Sequence, residues 1–267
     1  MNDPVGLERC SSFINLQLKP GDPGQPGNRP PLRRAVTLSR QAGCGALVVA
    51  QKLAAFLQST MPAGEPSWTV FDRNLMETVL ADHHLPTRIA KFLPEDRVTE
   101  LQDIVDELFG LRPASWTLIE QTSETILKLA ERGNVIVIGR GGNVITAKCP
   151  NVVHVRLVAP LAARIEHATR SYGLSPRAAH EFCLREDAGR RRYLRKYFHA
   201  NIDDPLLYHL CLNTGLVTFD EAARLIAEAM AGQAIPTGCG KPKVGMTDSE
   251  AACAHRAELQ FVQLERL

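Results

Sequence analysis

Short apolar runs recur along the chain, separated by longer stretches in which apolar residues follow helical spacing. Five runs predict strands, because they are short and apolar and most are rich in β-branched or aromatic residues. They are a run from Ala35, Trp68–Phe71, Val135–Ile138, Val152–Val158 and Leu210–Asn213. Since their connections are too long for hairpins, the pattern predicts an α/β fold with a parallel sheet of about five strands.

Start and stop signals divide the intervening stretches into helices. A long helix is expected from about Pro113 to Arg132, with Gly133 as its left-handed cap. Ser175-Pro176 is an N-cap followed by a first-turn proline, and Thr218–Glu221 is a capping box. Helices are therefore expected between the strands and after the last one.

Turn-forming and apolar residues also suggest where the folded domain lies. A proline- and glycine-rich run at residues 19–31 cannot hold a helix or a central strand, so residues 1–34 are expected to be a disordered leader. The domain is expected over residues 35–231. Residues 232–267 are expected to be a tail that includes at most a short helix.

Composition narrows the class of protein. Of the 267 residues, 45% are hydrophobic and 22% are charged, which is ordinary for a globular protein. No apolar run has the length of a membrane span and no secretory leader is recognisable, so we expect a cytoplasmic protein with no membrane partner. The seven cysteines are scattered and form no CxxC pair, which indicates reduced thiols and no metal site.

The turn after the first strand has the layout of a phosphate-binding loop. Ser39-Arg40-Gln41-Ala42-Gly43-Cys44-Gly45-Ala46 would direct several backbone N–H groups to one spot at a helix start. The usual GxxxxGK[ST] loop adds a lysine and a hydroxyl residue. Here Ala46 stands at the lysine position, and Leu47 and Val48 supply no hydroxyl group. The alternative is a tight strand-to-helix turn that needs glycine and nothing more.

Two other strand ends carry candidate side chains. Asp72 follows the second strand and Arg140 follows the third, and ligands of parallel α/β sheets bind beyond the carboxyl ends of strands. Asp72 has the alternative role of capping the next helix, and Arg140 that of plain surface charge. The adjacent histidines His83 and His84 are interpreted as surface residues, not as metal ligands.

A basic cluster lies between residues 185 and 199. It contains six Lys/Arg residues and two acids, Glu186 and Asp187, and aromatic residues are interleaved with the basic ones. Three interpretations stay open: arginines directed at phosphates, a solvated helix face, and a nucleic-acid patch, of which the last is the least expected. Asp187 could form a plain helical ion pair with Arg190.

Taken together, these segments resemble the cytidylate kinase-like family, a divergent branch of P-loop nucleoside monophosphate kinases. The resemblance spans roughly residues 35–231. It rests on Ser39-Arg40 with Gly43 and Gly45, Phe71-Asp72-Arg73, Val137–Asn143, Asp187–Tyr193, Asp204-Pro205 and Tyr208–Thr214.

The resemblance implies a three-part phosphotransferase with a core sheet, a monophosphate-binding insertion at residues 72–132 and an arginine-rich lid at residues 174–205. ATP and Mg²⁺ are the implied donor and metal. The acceptor is expected to be a nucleoside monophosphate or a similar small phosphorylated molecule. The implied roles are catalytic for Arg40, Asp187 and Arg190, nucleotide-binding for Ser39, Gly43, Cys44, Gly45 and Ala46, and substrate-binding for Asp72 and Arg140.

The departures from the family pattern keep a second hypothesis open. In typical cytidylate kinases the segment that matches Gly139-Arg140-Gly141 ends in an aspartate that contacts the substrate nucleotide, whereas this chain has Gly141. With the loop lysine also missing, the chain could instead be a nucleotide-binding sensor or interaction module that has lost its chemistry.

Overall fold

A five-stranded parallel sheet forms the centre of the described part of the chain, which in the computed structural model comprises residues 33–62, 66–72 and 114–232. The strand order is β2-β3-β1-β4-β5, and each neighbouring pair is parallel. The strands are β1 (Ala35–Arg40), β2 (Thr69–Phe71), β3 (Val135–Ile138), β4 (Val152–Val158) and β5 (Leu210–Asn213). The predicted α/β fold with a parallel sheet is confirmed.

Helices occupy the connections, and several begin or end where the sequence signals predict. Ser175 caps a helix by accepting a hydrogen bond from the backbone N–H of Ala178 (3.3 Å), and Gly133 follows the helix that ends at Arg132 with a left-handed φ of 72°. The helices are α1 (Ala46–Ser59), α2 (Ala114–Arg132), α3 (Gly142–Ile145), α4 (Leu161–Tyr172), α5 (Pro176–Phe198) and α6 (Phe219–Gly232), with a 3₁₀ turn at Pro205–Leu207.

The two faces of the sheet bury different partners because successive strand residues point to opposite sides. On one face, Val36 and Leu38 of β1 pack in a cluster with residues of α1 and α6, among them Leu53 and Ile226, all fully buried. On the other face, Ala35 belongs to a cluster that includes residues of α2. The sheet is thus covered by helices on both sides, as expected for a buried parallel sheet.

The α2 face changes from apolar to polar toward the carboxyl ends of the strands. After Ala35, the next two β1 residues on this face are Thr37 and Ser39, and β4 contributes His154 and Arg156 beside them. All four side chains are buried. Thr37 Oγ1 and His154 Nδ1 share a hydrogen bond of 2.8 Å, and Arg156 Nη1 donates to Ser39 Oγ at 2.9 Å. The sheet therefore carries buried polar groups at the edge where a ligand would bind.

Several predicted segments lie outside the described residues. They are the leader at residues 1–32, most of the insertion at residues 73–113, and the tail from residue 233. In the described part of the chain, no helix combines the length and the apolar character needed to span a bilayer.

We predict that His154 makes the folded state lose stability in mild acid. Burial, together with the charge of His209, lowers the pKa of His154 from 6.5 to about 4. Between these values the unfolded chain binds the proton and the folded chain does not, so stability falls as the pH drops from about 7 to about 4. Denaturant titrations should show a loss of roughly 3 kcal/mol from this histidine.

The matched control is the exposed His180. His154→Gln should remove most of the pH dependence over this range, whereas His180→Gln should leave it unchanged. Equal pH dependence in wild type and His154→Gln would contradict the assignment.

Candidate functional site

The turn between β1 and α1 adopts a backbone conformation that requires both of its glycines. Gly43 and Gly45 have φ angles of +79° and +77°, which L side chains rarely adopt. A Cβ on Gly43 would overlap the carbonyl oxygen of Arg164, and a Cβ on Gly45 would overlap the ring of Phe219. Gly45 is also the N-cap of α1, and no described side chain caps that helix. The helix start therefore presents backbone N–H groups, as a phosphate loop does.

A second glycine turn follows β3 and brings two arginines together. Gly139, Arg140 and Gly141 all have positive φ angles, of 82°, 56° and 69°. A Cβ on Gly139 would overlap the guanidinium group of Arg40, so that guanidinium lies directly against the turn. Arg40 at the end of β1 and Arg140 after β3 thus meet at the carboxyl edge of neighbouring strands.

These two arginines and Arg190 of α5 line one small cavity. Its volume is about 10 Å³, which is close to the space that a single water molecule needs. Arg140 and Arg190 are 5% and 8% exposed. The described residues that line the cavity include no carboxylate and are Ser39, Arg40, Gly139, Arg140, Gly141, Asn143, Arg190, Tyr193, Leu194 and Ile202. Three guanidinium groups around one cavity form a site that suits an anion.

Asp187 joins α5 to the phosphate loop. Its Oδ1 accepts a hydrogen bond from the backbone N–H of Ala42 at 2.7 Å, and its Oδ2 accepts one from Arg164 Nη1 at 2.6 Å. Arg190 Nη1 donates to the same carboxylate at 3.3 Å. Asp187, Arg164 and Arg190 are all buried. The loop, α4 and α5 are therefore held together by one buried ion cluster.

A second polar cluster lies behind the cavity and was not predicted. Arg156 of β4 donates to Ser39 and, through Nη2, to Asp203 Oδ1 at 2.8 Å. Arg191 of α5 donates to the other oxygen of Asp203 at 2.8 Å, and the Tyr208 hydroxyl lies 3.2 Å from Ser39 Oγ. Burial raises the pKa of Asp203, but the hydrogen bond from Arg191 and the charge of Arg156 outweigh it, so the pKa lies below its usual value.

The thiol of Cys44 stays protonated at neutral pH. Cys44 is 2% exposed, and burial raises its pKa to about 11 despite the opposing charges of Arg40, Arg190 and Arg156. Because only the thiolate is strongly nucleophilic, this side chain does not provide a nucleophile. A role for Cys44 in binding would therefore come from its backbone.

The structure brings most of the candidate residues to one edge of the sheet. Ser39, Arg40, Arg140 and Arg190 line the cavity, and Asp187 contacts Arg190 beside it. Gly43, Cys44, Gly45 and Ala46 form the adjoining turn and helix start. Asp72 follows β2 at the outer edge of the sheet and does not line the cavity.

Two buried arginines, Arg156 and Arg164, are additional members of the site. Arg156 interrupts the apolar strand β4, and a charged residue within such a strand is the signal that could have identified it. For Arg164 the sequence offers no comparable signal, because α4 is an amphipathic helix that also carries the charged residues Glu166 and Arg170.

Comparisons with known proteins place this site within a family of known fold. A family model described as the cytidylate kinase-like family matches residues 35–216. A crystal structure of an uncharacterized protein from Eubacterium ventriosum ATCC 27560 is similar over 75% of this chain and 99% of that chain, with a TM-score of 0.55 and 18% identity. That likeness concerns the fold alone.

One curated relative matches a shorter part of the chain. Uronate isomerase from Corynebacterium glutamicum is 30% identical over 118 residues, which make up 44% of this chain and 23% of the isomerase. The matched part of this chain thus spans less than a quarter of the length of that relative.

We predict that the space around Gly43, and not only its φ angle, sets the cost of replacing it. Gly173 provides the matched control, because its φ is +66° and a Cβ there would meet nothing within 4 Å. Gly173→Ala should lower the free energy of unfolding by about 1 kcal/mol from backbone strain alone. Gly43→Ala should cost roughly 2 kcal/mol more, because its methyl group overlaps backbone. Equal losses in denaturant titrations would contradict the packing of this turn against α4.

Proposed function

The chain belongs to the cytidylate kinase-like family, and on that premise we propose that it transfers a phosphoryl group from ATP to a nucleoside monophosphate or a similar small phosphorylated acceptor. The observation that carries the proposal is the convergence of Arg40, Arg140 and Arg190 on one cavity. The cavity lies beside a glycine turn that opens a helix, which is a suitable place for phosphate groups.

In the proposed reaction, backbone N–H groups of residues 42–46 hold the donor phosphates. Arg40 and Arg190 neutralise the transferred group, and before the nucleotide binds Asp187 positions Arg190 through the contact of 3.3 Å. Arg140 binds the phosphate of the acceptor. Asp72, at the end of β2, is proposed to contact the part of the acceptor that lies farther along the sheet edge.

The missing loop lysine does not exclude this chemistry. Phosphoryl transfer depends mainly on positioning and on electrostatic stabilisation of the transferring group, and one arginine can contribute a factor of roughly 10³ to 10⁵ in rate. Arg140 and Arg190 are buried, so their charges act in surroundings of low dielectric constant. Arginines from β1 and α5 could therefore replace the charge that a lysine usually supplies.

We propose that α5 moves when a nucleotide binds. The cavity of about 10 Å³ is too small for a phosphate group, and Tyr193 and Leu194 of α5 form part of its wall. Residues 174–205 are therefore proposed to act as a lid that opens for the substrates and closes over them. Such closure excludes water and brings Arg190 to the transferred group.

Magnesium fits the described residues poorly. They contain no group of three or more His, Cys, Asp or Glu side chains that could hold a metal ion. The loop provides no hydroxyl group at residues 46–48, and both oxygens of Asp187 already accept hydrogen bonds. Mg²⁺ commonly accompanies ATP through the phosphates and water, and no step proposed for this chain depends on a protein ligand to it.

The acceptor is proposed to be recognised mainly through its phosphate. Gly141 carries no acid to read a cytosine base, and a Cβ on this residue would lie 2.8 Å from the ring of Phe198.

Among the described cysteines, Cys44, Cys149, Cys183 and Cys211 are free thiols, which supports the cytoplasm as the proposed compartment.

A second candidate is a nucleotide-binding module without catalysis. The observation that favours it is the apolar start of α1, where Ala46 is buried and Leu47 and Val48 carry no polar group. Such a module would bind ATP but would not transfer its phosphoryl group, so neither Arg140 nor Arg190 would have a catalytic role in it.

A coupled assay tests the first candidate with ATP, Mg²⁺ and a panel of monophosphates. We predict turnover of at least one acceptor by the wild-type chain. Arg140→Met and Arg190→Met should each lower kcat/KM by roughly 10²- to 10³-fold, because each removes a charge from a phosphate. The control is Arg170→Met, since Arg170 is exposed on α4 and pairs only with Glu166 of the same helix among the described contacts.

Two outcomes decide between the candidates. Absence of turnover with every acceptor would contradict the phosphotransferase. If ATP still raises the melting temperature of that inactive chain, the binding module is the better description.

A further inference from the structure

We propose that the backbone N–H of Ala42, Arg164 and Arg190 form the binding site of the terminal phosphoryl group of the nucleotide, and that the Asp187 carboxylate occupies this site in the nucleotide-free chain. The inference rests on the proposed nucleotide-binding function and extends it. It adds Arg164 to the site and gives Asp187 a second role, that of an internal anion.

The donors around Asp187 are those that bind phosphate. One is a backbone N–H of the glycine loop, at 2.7 Å, and two are guanidinium groups, Arg164 at 2.6 Å and Arg190 at 3.3 Å. A terminal phosphoryl group has the same kind of anionic oxygen acceptors as a carboxylate, with one more oxygen and a larger negative charge of about −1.5 to −2. The three donors would therefore bind either anion.

Arg164 is held in place independently of Asp187. Its Nε donates to the carbonyl oxygen of Ala159 at 3.0 Å, and its Nη1 also contacts the carbonyl oxygen of Ala42 at 3.2 Å. These backbone contacts fix the guanidinium group against the loop. The position of the charge is thus preserved when the carboxylate leaves, as a preformed anion site requires.

Burial couples the departure of Asp187 to the arrival of another anion. Arg164 is 6% exposed, and Asp187 is the one carboxylate that pairs with it among the described salt bridges, so removal of Asp187 alone would leave this buried charge without its counterion. That state is strongly unfavourable. An incoming phosphate restores the balance, so exchange of one anion for the other is favoured over simple release.

The exchange also links phosphate binding to the movement of α5. Asp187 is one helical turn from Arg190 on that helix, and its contact with Ala42 fastens α5 to the loop. When a phosphate takes the place of the carboxylate, Asp187 loses its hydrogen bond from the Ala42 N–H, and α5 is no longer fastened to the loop by this contact. Asp187 therefore opposes the binding of phosphate, and before the phosphate arrives it holds Arg190 beside the loop.

Calorimetric titration with inorganic pyrophosphate tests this on the full chain. Asp187→Asn removes the competing charge and should bind pyrophosphate roughly tenfold more tightly than wild type. Its kcat should fall, because Arg190 loses a partner. A purely structural role for Asp187 would instead weaken binding and turnover together.

Two variants on the same helix are matched controls for charge. Glu181→Gln removes an exposed carboxylate that pairs with Arg177, and it should leave pyrophosphate affinity within twofold of wild type. Glu186→Gln removes a carboxylate that pairs with Arg190 but does not contact the loop in any described hydrogen bond, and its gain should be clearly smaller than that of Asp187→Asn. Equal gains in Asp187→Asn and Glu186→Gln would overturn the proposal, since they would indicate a general effect of charge.

A measurement on the wild-type chain covers the case in which Asp187→Asn does not fold. In a ¹⁵N NMR titration with pyrophosphate, the Ala42 amide should shift strongly, because its acceptor changes from carboxylate to phosphate. Chloride at equal ionic strength should not shift it. An unchanged Ala42 amide, with shifts confined to residues 44–46, would overturn the inference.

The outcomes also separate this inference from the proposed function. If wild type turns over an acceptor while Asp187→Asn binds pyrophosphate no more tightly, the inference fails and the function stands. If no acceptor is turned over while Ala42 responds as described, the phosphotransferase fails and the anion site stands.

Discussion

Balancing buried positive charge is the constraint on which the site depends. Arg140, Arg156, Arg164 and Arg190 are each at most 8% exposed and all lie near the carboxyl edge of the sheet. Guanidinium groups do not lose their protons, so each needs nearby acceptors when it leaves water. Asp187 and Asp203 supply two of the carboxylates, and each is shared by more than one arginine. The phosphate loop, α4, α5 and β4 are held in register because they share these acids.

The same charge balance relates the fold to its proposed function. Strand alternation gives one face of the sheet a fully apolar cover and the other a polar end that begins at Thr37 and His154. In the turn after β3, Gly139 has no side chain and so leaves room for the Arg40 guanidinium group, which lines the same cavity as Arg140. The loop backbone and Arg40 thus provide donors at the edge of the sheet, and the proposed movement of α5 adds Arg190, which together give the positioning that phosphoryl transfer requires.

The sheet and part of the site could be predicted from local sequence, whereas the ion clusters could not. Runs such as Val135–Ile138 identify strands because a buried parallel strand is apolar throughout. The sequence identified Arg140 as a candidate because glycines flank it after a strand, and Arg190 because it belongs to a basic cluster. Arg164 gave no such signal, and Arg156 gave only the signal of a charged residue within an apolar strand, because what makes both important is burial against acids that lie 23 and 47 residues away. Such pairings are set by how β4 and α4 pack, which no local pattern encodes.

The central claim is that the glycine turn and the buried arginines together form a site for nucleotide phosphates. The most direct test is a crystal structure of the full chain with an ATP analogue whose terminal phosphate cannot be transferred. The account predicts phosphate density within hydrogen-bond distance of the backbone of residues 42–46 and of the guanidinium groups of Arg40 and Arg190. Analogue bound elsewhere on the chain, with this turn unchanged, would contradict it.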